Sequence, residues 1–177
     1  MDIKIIRTGL LEENCYLLIK NSKCLIIDPG ADFFNIRKEL GELEPVGVLI
    51  THRHFDHIGA LEDIENEYHL NVYDKSNLDE GEKNIQNFSF STIYTPGHSS
   101  DSICFYFEEI NSIFVGDFIF KNGVGRWDLE TGNKTELEKS LKKFKNKFSI
   151  NDKLFIYPGH GPVTTYKNEI ENNVFFS

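Results

Sequence analysis

Cysteine is scarce in this sequence: Cys15, Cys24 and Cys104 are its only three, and no two of them share a Cys-x-x-Cys spacing. An odd count without a metal-binding spacing reads as reduced, buried thiols in a reducing compartment. Basic residues are also in the minority, 19 against 28 acidic ones, for a formal net charge of −9. That balance disfavours nucleic acid and anionic membrane as partners. No hydrophobic run reaches transmembrane length, and the opening Met1-Asp2-Ile3-Lys4-Ile5-Ile6 lacks the apolar stretch of a signal peptide. The expectation is a soluble cytoplasmic protein, with its oligomeric state left open.

The length suits one domain, 1–177, large enough to bury about 70% of its unfolded surface. Strands are expected at Ile3 to Arg7, Cys15 to Lys20 and Lys23 to Ile27, with Asn21-Ser22 as a tight hairpin. Phe33, Ile36, Leu40 and Leu43 recur at helical spacing, and Val46 to Ile50 reads as the next strand. Ala60 to Tyr68 looks helical, Asn71 to Tyr73 looks like a short strand, and the polar stretch 74–84 reads as a loop. Phe88 to Tyr94, Ser102 to Phe107, Ser112 to Val115 and Leu154 to Tyr157 complete the strand-like runs. Gly123, Gly125 and Gly132 punctuate a long loop in which Trp127 is expected to pack into the core. The helix after it should begin at a capping box of Thr135 and Glu138. Its stripe of Leu137, Leu141, Phe144 and Phe148 makes the lysines at 139, 142, 143, 145 and 147 a solvated outer face. A short helix over Tyr166 to Asn172 ends the reading.

Histidine carries the chemistry. Three of the six lie in Thr51-His52-Arg53-His54-Phe55-Asp56-His57-Ile58-Gly59, directly after an apolar run. In an extended stretch residues two apart face the same way, so His52 and His54 can grip one ion while Asp56 and His57 aim at another position. His98 and His160 each follow a Pro-Gly turn, whereas His69 reads as a surface residue near a helix end. The strand-like runs ending at Ile50, Tyr94, Val115 and Tyr157 each deliver a ligand-type residue within a few positions. Loops at strand ends on a rigid sheet are where sites are usually built, so these four ends are expected to converge.

His52-x-His54-x-Asp56-His57, a later Gly-His, Gly116-Asp117 and a final Gly-His resemble the signature of the metallo-β-lactamase superfamily. Pro158-Gly159-His160-Gly161-Pro162-Val163-Thr164-Thr165 and Gly123-Val124-Gly125-Arg126 are similar to the glyoxalase II-like (hydroxyacylglutathione hydrolase-like) branch. The resemblance runs from Asn14 to about Asn173. It implies an α/β fold of four layers, an αββα sandwich with two sheets between outer helices. It also implies one metal held by His52, His54 and His98, a second held by Asp56, His57 and His160, and Asp117 bridging them. Asp28 resembles the family's aspartate that orients ligands from behind, although an ordinary turn aspartate before proline reads equally well. Arg126 matches a basic position beside the thiol portion of the substrate, with a salt bridge to Asp128 as the competing reading. Only a short stretch follows His160, so the helical C-terminal domain of full-length glyoxalase II enzymes is not expected.

Seven imidazole and carboxylate groups without a cysteine favour a two-metal catalytic site over a closed structural zinc. Zinc is the first expectation, with iron or manganese as alternatives for such donors. The expected activity is hydrolysis of thioesters such as S-lactoylglutathione-like compounds by a metal-bridging hydroxide, with Asp56 also orienting that nucleophile. A mononuclear-iron persulfide dioxygenase and a lactone hydrolase are the alternatives.

Overall fold

Alternation along the buried strands decides the architecture. The computed structural model describes residues 1–176. Its first half runs β1 (Asp2–Thr8), β2 (Glu13–Lys20), β3 (Lys23–Ile27), α1 (Phe33–Leu40), β4 (Glu44–Leu49), α2 (Phe55–Ile58), α3 (Leu61–Tyr68) and β5 (Val72–Tyr73). Its second half runs β6 (Gly81–Ile85), β7 (Phe88–Tyr94), β8 (Ile103–Phe107), β9 (Ser112–Gly116), β10 (Ile119–Phe120), β11 (Gly123–Val124), α4 (Lys134–Phe148), β12 (Phe155–Pro158), β13 (Thr164–Thr165) and α5 (Tyr166–Asn172). β1 to β5 form one sheet in sequence order, and β13-β12-β9-β8-β7-β6 form the other.

Tyr16 and Leu18 of β2 join Leu25, Ile27 and Leu49 in a cluster that meets Phe88, Phe90, Phe105, Phe107 and Phe114 of the second sheet. Cys15 and Leu17, on the opposite face of β2, pack with Ile36 and Leu40 of α1 and with Leu61 and Ile64 of α3. On the second sheet Cys104, Ile113 and Val115 turn outward to meet Leu137, Leu141, Phe144 and Phe148 of α4. Because neighbours along a strand face opposite ways, each sheet is apolar on both sides and takes a helix layer outside and the other sheet inside. The result is the expected four-layer αββα sandwich. All three cysteines are free and buried. Among the described residues, no helix is long and apolar enough to cross a membrane.

Three local expectations are corrected. The stretch 74–84 is not all loop, because Gly81–Ile85 pairs antiparallel with β7 from Gly81↔Thr92 to Ile85↔Phe88. This edge strand is polar along its exposed side, which removes the alternation that marks a strand in sequence. The 119–124 region of the long glycine-punctuated loop holds a small hairpin, with Ile119 opposite Val124. The N-cap of α4 lies two residues before the expected Thr135: the Asn133 side chain accepts the Glu136 N–H at 3.1 Å. The Asn133 N–H is itself held by the Gly97 carbonyl at 2.8 Å, which fixes the extended backbone that an N-cap needs.

The direction of the strands gathers the site. β7 and β9 each lie antiparallel to β8, and β12 lies parallel to β9, so β7, β9 and β12 all end at one edge of the sheet. The end of β4 joins them from the other sheet, where Ile103 N–H donates to the Thr51 carbonyl at 2.9 Å.

Candidate metal centre

Each donor is set by backbone that leaves a strand. His52 and His54 follow β4, with His54 extended, but Phe55–Ile58 is a helical turn, so Asp56 and His57 are aimed by α2 and not by strand alternation. Asp101 secures this loop by accepting the Arg53 N–H at 3.0 Å. Asp117 follows Gly116, whose φ of +53° and whose close approach to the Thr51 side chain admit no β-carbon. His160 is held from β2: Asn14 N–H donates to the Gly159 carbonyl at 2.7 Å, and its side-chain amide donates to the Pro158 and Gly161 carbonyls at 3.0 and 2.9 Å.

All seven expected donors come together. His52, His54 and His98 form one group, Asp56, His57 and His160 another, and His52, His57 and Asp117 a third between them, with donor atoms within 4.8 Å of one another in each. Asp117 is the centre of the arrangement. Its Oδ1 lies 3.3 Å from His57 Nε2, while its Oδ2 lies 3.6 Å from both His98 Nε2 and His160 Nε2. His160 Nε2 is also 3.1 Å from Asp56 Oδ2.

The outer nitrogens of three rings are already committed. His98 Nδ1 faces the Arg126 carbonyl at 2.7 Å, His160 Nδ1 faces the Leu11 carbonyl at 3.0 Å, and His57 Nδ1 faces Asp28 Oδ2 at 3.0 Å. Carbonyl and carboxylate oxygens only accept, so each Nδ1 donates and Nε2 is the ring nitrogen left facing the centre. There His98 Nε2 meets His54 Nδ1 at 2.9 Å. His52 Nε2, His57 Nε2 and Asp117 Oδ1 are buried without a hydrogen-bond partner. Unpaired buried donors of this kind, converging from several elements, fit divalent cations.

The electrostatics agree with that fit. Burial holds His52 well below the ordinary histidine range, with the neighbouring rings of His57, His98 and His54 adding to it. Burial also lowers His98, against the opposing pull of Asp117. Burial would lower His57 too, but the Asp117 and Asp28 carboxylates on either side of it outweigh this and raise it. The same pairing keeps Asp117 below the usual carboxylate range despite its burial.

Asp28 is no mere turn residue. It accepts the Thr51 N–H at 2.7 Å and the Thr51 hydroxyl at 2.5 Å while orienting His57, so it ties the histidine loop to the end of β3. Arg126 forms the competing salt bridge, donating to both carboxylate oxygens of Asp128 at 2.7 and 2.9 Å. Its side chain also lines the cavity over the donors, and its backbone carbonyl orients His98. Trp127 packs partly buried against the α4 core, and His69 sits exposed at the end of α3.

Sequence reasoning passed over Glu13 and Asn14. Glu13 is fully buried behind His57, takes a hydrogen bond from the Thr8 hydroxyl at 2.8 Å, and has its carboxyl pushed up by burial to about 9. The available signal was a carboxylate and an amide heading a strand that is otherwise apolar. The cavity above the donors measures about 710 Å³ and has Leu11, Phe55, Phe120 and Leu129 among its walls.

Comparison with known proteins agrees with the geometry. The family model for the Metallo-beta-lactamase superfamily matches residues 8–80 and 71–160. "Probable metallo-hydrolase YqgX" of Bacillus subtilis is 31% identical, with 96% of this chain and 94% of that one covered. "Hydroxyacylglutathione hydrolase GloC" of Haemophilus influenzae is 27% identical, over 100% and 99% of the two chains. Among solved structures, BLEG-1 B3 metallo-beta-lactamase superposes with a TM-score of 0.92 at 29% identity, covering 99% of this chain and 100% of the other. TTHA1623 in a di-iron-bound form superposes with a TM-score of 0.87 at 29% identity, covering 97% and 99%. Strand-end donors, the four-layer sandwich and these likenesses lead to one assignment: the chain is a member of the metallo-β-lactamase superfamily and a metal-dependent hydrolase.

Proposed function

We propose that this hydrolase is binuclear and acts on thioesters, with acyl-glutathiones such as S-lactoylglutathione the first compounds to assay. The observation that carries the reading is the set of unpaired, buried donors, His52 Nε2, His57 Nε2 and Asp117 Oδ1, at the meeting point of two donor triads. His52, His54 and His98 would hold one ion, Asp56, His57 and His160 the other, and Asp117 both. Two divalent ions, zinc by first expectation with iron or manganese as alternatives, would supply a hydroxide nucleophile near neutral pH and polarise a carbonyl.

The chain's own groups do the rest. Asp56 lines the cavity, where it would accept a hydrogen bond from an attacking hydroxide and orient it. Asp28 and the Arg126 and Leu11 carbonyls keep the rings of His57, His98 and His160 in register. No further acidic side chain is needed on the leaving side, because a thiol of pKa ~8.5 departs as thiolate. An amine would need a proton delivered to it. GloC carries a hydroxyacylglutathione hydrolase name, which supports a thioester substrate here.

The test is a panel of thioesters, lactones, β-lactams and glutathione persulfide assayed on purified protein. Thioester turnover that is lost on chelation, recovered with zinc and reduced ~10²–10⁴-fold by Asp56→Asn is the expected result. Turnover indifferent to Asp56→Asn or His98→Ala, or oxygen uptake with the persulfide in place of hydrolysis, would overturn it.

A further inference from the structure

The walls of the cavity and its floor differ in kind. The floor is the donor cluster, whereas Leu11, Phe55, Phe120 and Leu129 form an apolar rim above it. Two of these are unusually open for large apolar side chains, Phe55 at 76% and Leu11 at 54% exposure. Such surface beside a polar reaction centre gains free energy only when something apolar covers it.

Charge on the rim points the same way. Among the described residues lining the cavity, Arg126 is the one lysine or arginine, and Glu130 lines it too with the opposite sign. The charge of Arg126 is also offset, since Nε and one terminal nitrogen form a two-pronged pair with Asp128. A bound carboxylate would meet a guanidinium whose charge Asp128 already balances, with the Glu130 carboxylate lining the same cavity. The rim therefore offers apolar contact and little to balance an anion.

We infer that the site selects thioesters of apolar acyl groups on an uncharged thiol carrier, and discriminates against carriers of net negative charge such as glutathione, with Asp128 as the residue that sets this selectivity. This rests on the thioester reading of the same site and narrows it, ranking the acyl-glutathiones that are the first compounds to assay below thioesters of neutral carriers. A flexible alkyl chain would lie across Phe55 and Leu11 while its carbonyl reaches the donors. Asp128 acts through Arg126, so it is a positioning residue and not a catalytic one.

The experiment measures equilibrium binding to the zinc-loaded protein by calorimetry, using thioethers that cannot be hydrolysed. S-hexyl-N-acetylcysteamine is neutral, S-hexylglutathione carries net negative charge, and their S-methyl counterparts report the contribution of the chain. The neutral hexyl compound should bind ~10-fold or more tightly than the glutathione one, and shortening hexyl to methyl should weaken it ~10-fold or more. Asp128→Asn, which frees Arg126, should tighten S-hexylglutathione several-fold and leave the neutral thioether as it was. That variant gains affinity, so misfolding cannot imitate the result. Equal or tighter wild-type binding of S-hexylglutathione, indifference to chain length, no response to Asp128→Asn, or no binding of either hexyl compound overturns the inference. Because the readout is binding, failure of thioester hydrolysis would sink the proposed activity while this selectivity stood or fell separately.

Discussion

Asp28 Oδ2 lies 3.0 Å from His57 Nδ1 and accepts the Thr51 hydroxyl at 2.5 Å, so one buried carboxylate fixes both a candidate ligand ring and the loop that carries it. The aspartate comes from the end of β3 and the histidine from the turn after β4, adjacent parallel strands of the first sheet. A carboxylate behind a ligating imidazole fixes its tautomer and raises its basicity.

Asp28→Asn should therefore weaken metal binding at the Asp56, His57 and His160 position by ~10–100-fold while the fold survives. Competition with a chromogenic chelator measures this. Unchanged affinity for both ions would mean that the Asp28 contact does nothing for the metal.

Glu13 gives a pH-dependent prediction for the metal-free protein. Burial, the largest cause, raises its carboxyl from 4.5 to about 9 in the folded chain. Below pH ~4.5 both folded and unfolded chains hold this proton, so the group contributes nothing to the difference. As pH rises from ~4.5 toward ~9 only the unfolded chain releases it, so Glu13 progressively disfavours the folded state over that window. Glu13→Gln keeps the shape and removes the titration. Its melting temperature should match wild type near pH 5 and exceed it by at least ~2–4 °C at pH 8, for ~1 kcal/mol or more. A variant less stable at both pH values would show that Glu13 stabilises the fold as an anion.

Gly159 tests how tightly the centre is packed. A β-carbon there would overlap Asp117 Oδ1 and press on the His57 ring, whereas one at Gly123 meets nothing within 4 Å. Gly159→Ala should cost ~1–3 kcal/mol and lower metal occupancy, with Gly123→Ala as the neutral control. Thermal denaturation and elemental analysis of the two variants give the comparison, and equal behaviour would contradict the packing.

The Asn14 side-chain amide closes the turn that presents His160, through the Pro158 and Gly161 carbonyls. Asn14→Ala removes the side-chain donor to the Gly161 carbonyl and one of two donors to the Pro158 carbonyl, which keeps the Tyr16 hydroxyl, and should cost ~1 kcal/mol. Its sharper signature should be a fall in occupancy of the ion that His160 would bind, read by metal titration. Occupancy at the wild-type level would remove Asn14 from the account of the site.

Much of this was legible before any coordinates, because local rules act on local residues. The histidines at 52, 54, 57, 98 and 160 each follow an apolar run or a Pro-Gly turn, and rigid strand ends bring them together as expected. What escaped was non-local. Glu13 and Asn14 look like solvent-facing polar residues until the His160 turn folds over them, a contact between residues about 147 positions apart at its widest. β6 was hidden because its partner, β7, and not its own composition makes it a strand. The cap of α4 moved to Asn133 because a carbonyl from the Gly97 turn holds the Asn133 N–H. The helical turn at Phe55–Ile58 overrode strand alternation within the histidine motif itself, yet left both donor groups intact.

The central claim is that seven side chains from distant parts of the sequence hold a pair of ions, and metal stoichiometry tests it most directly. Elemental analysis of the purified, zinc-equilibrated protein should give two ions per chain, falling to about one in His160→Ala. No tightly held metal in the wild type, or an unaltered count in His160→Ala, would contradict it.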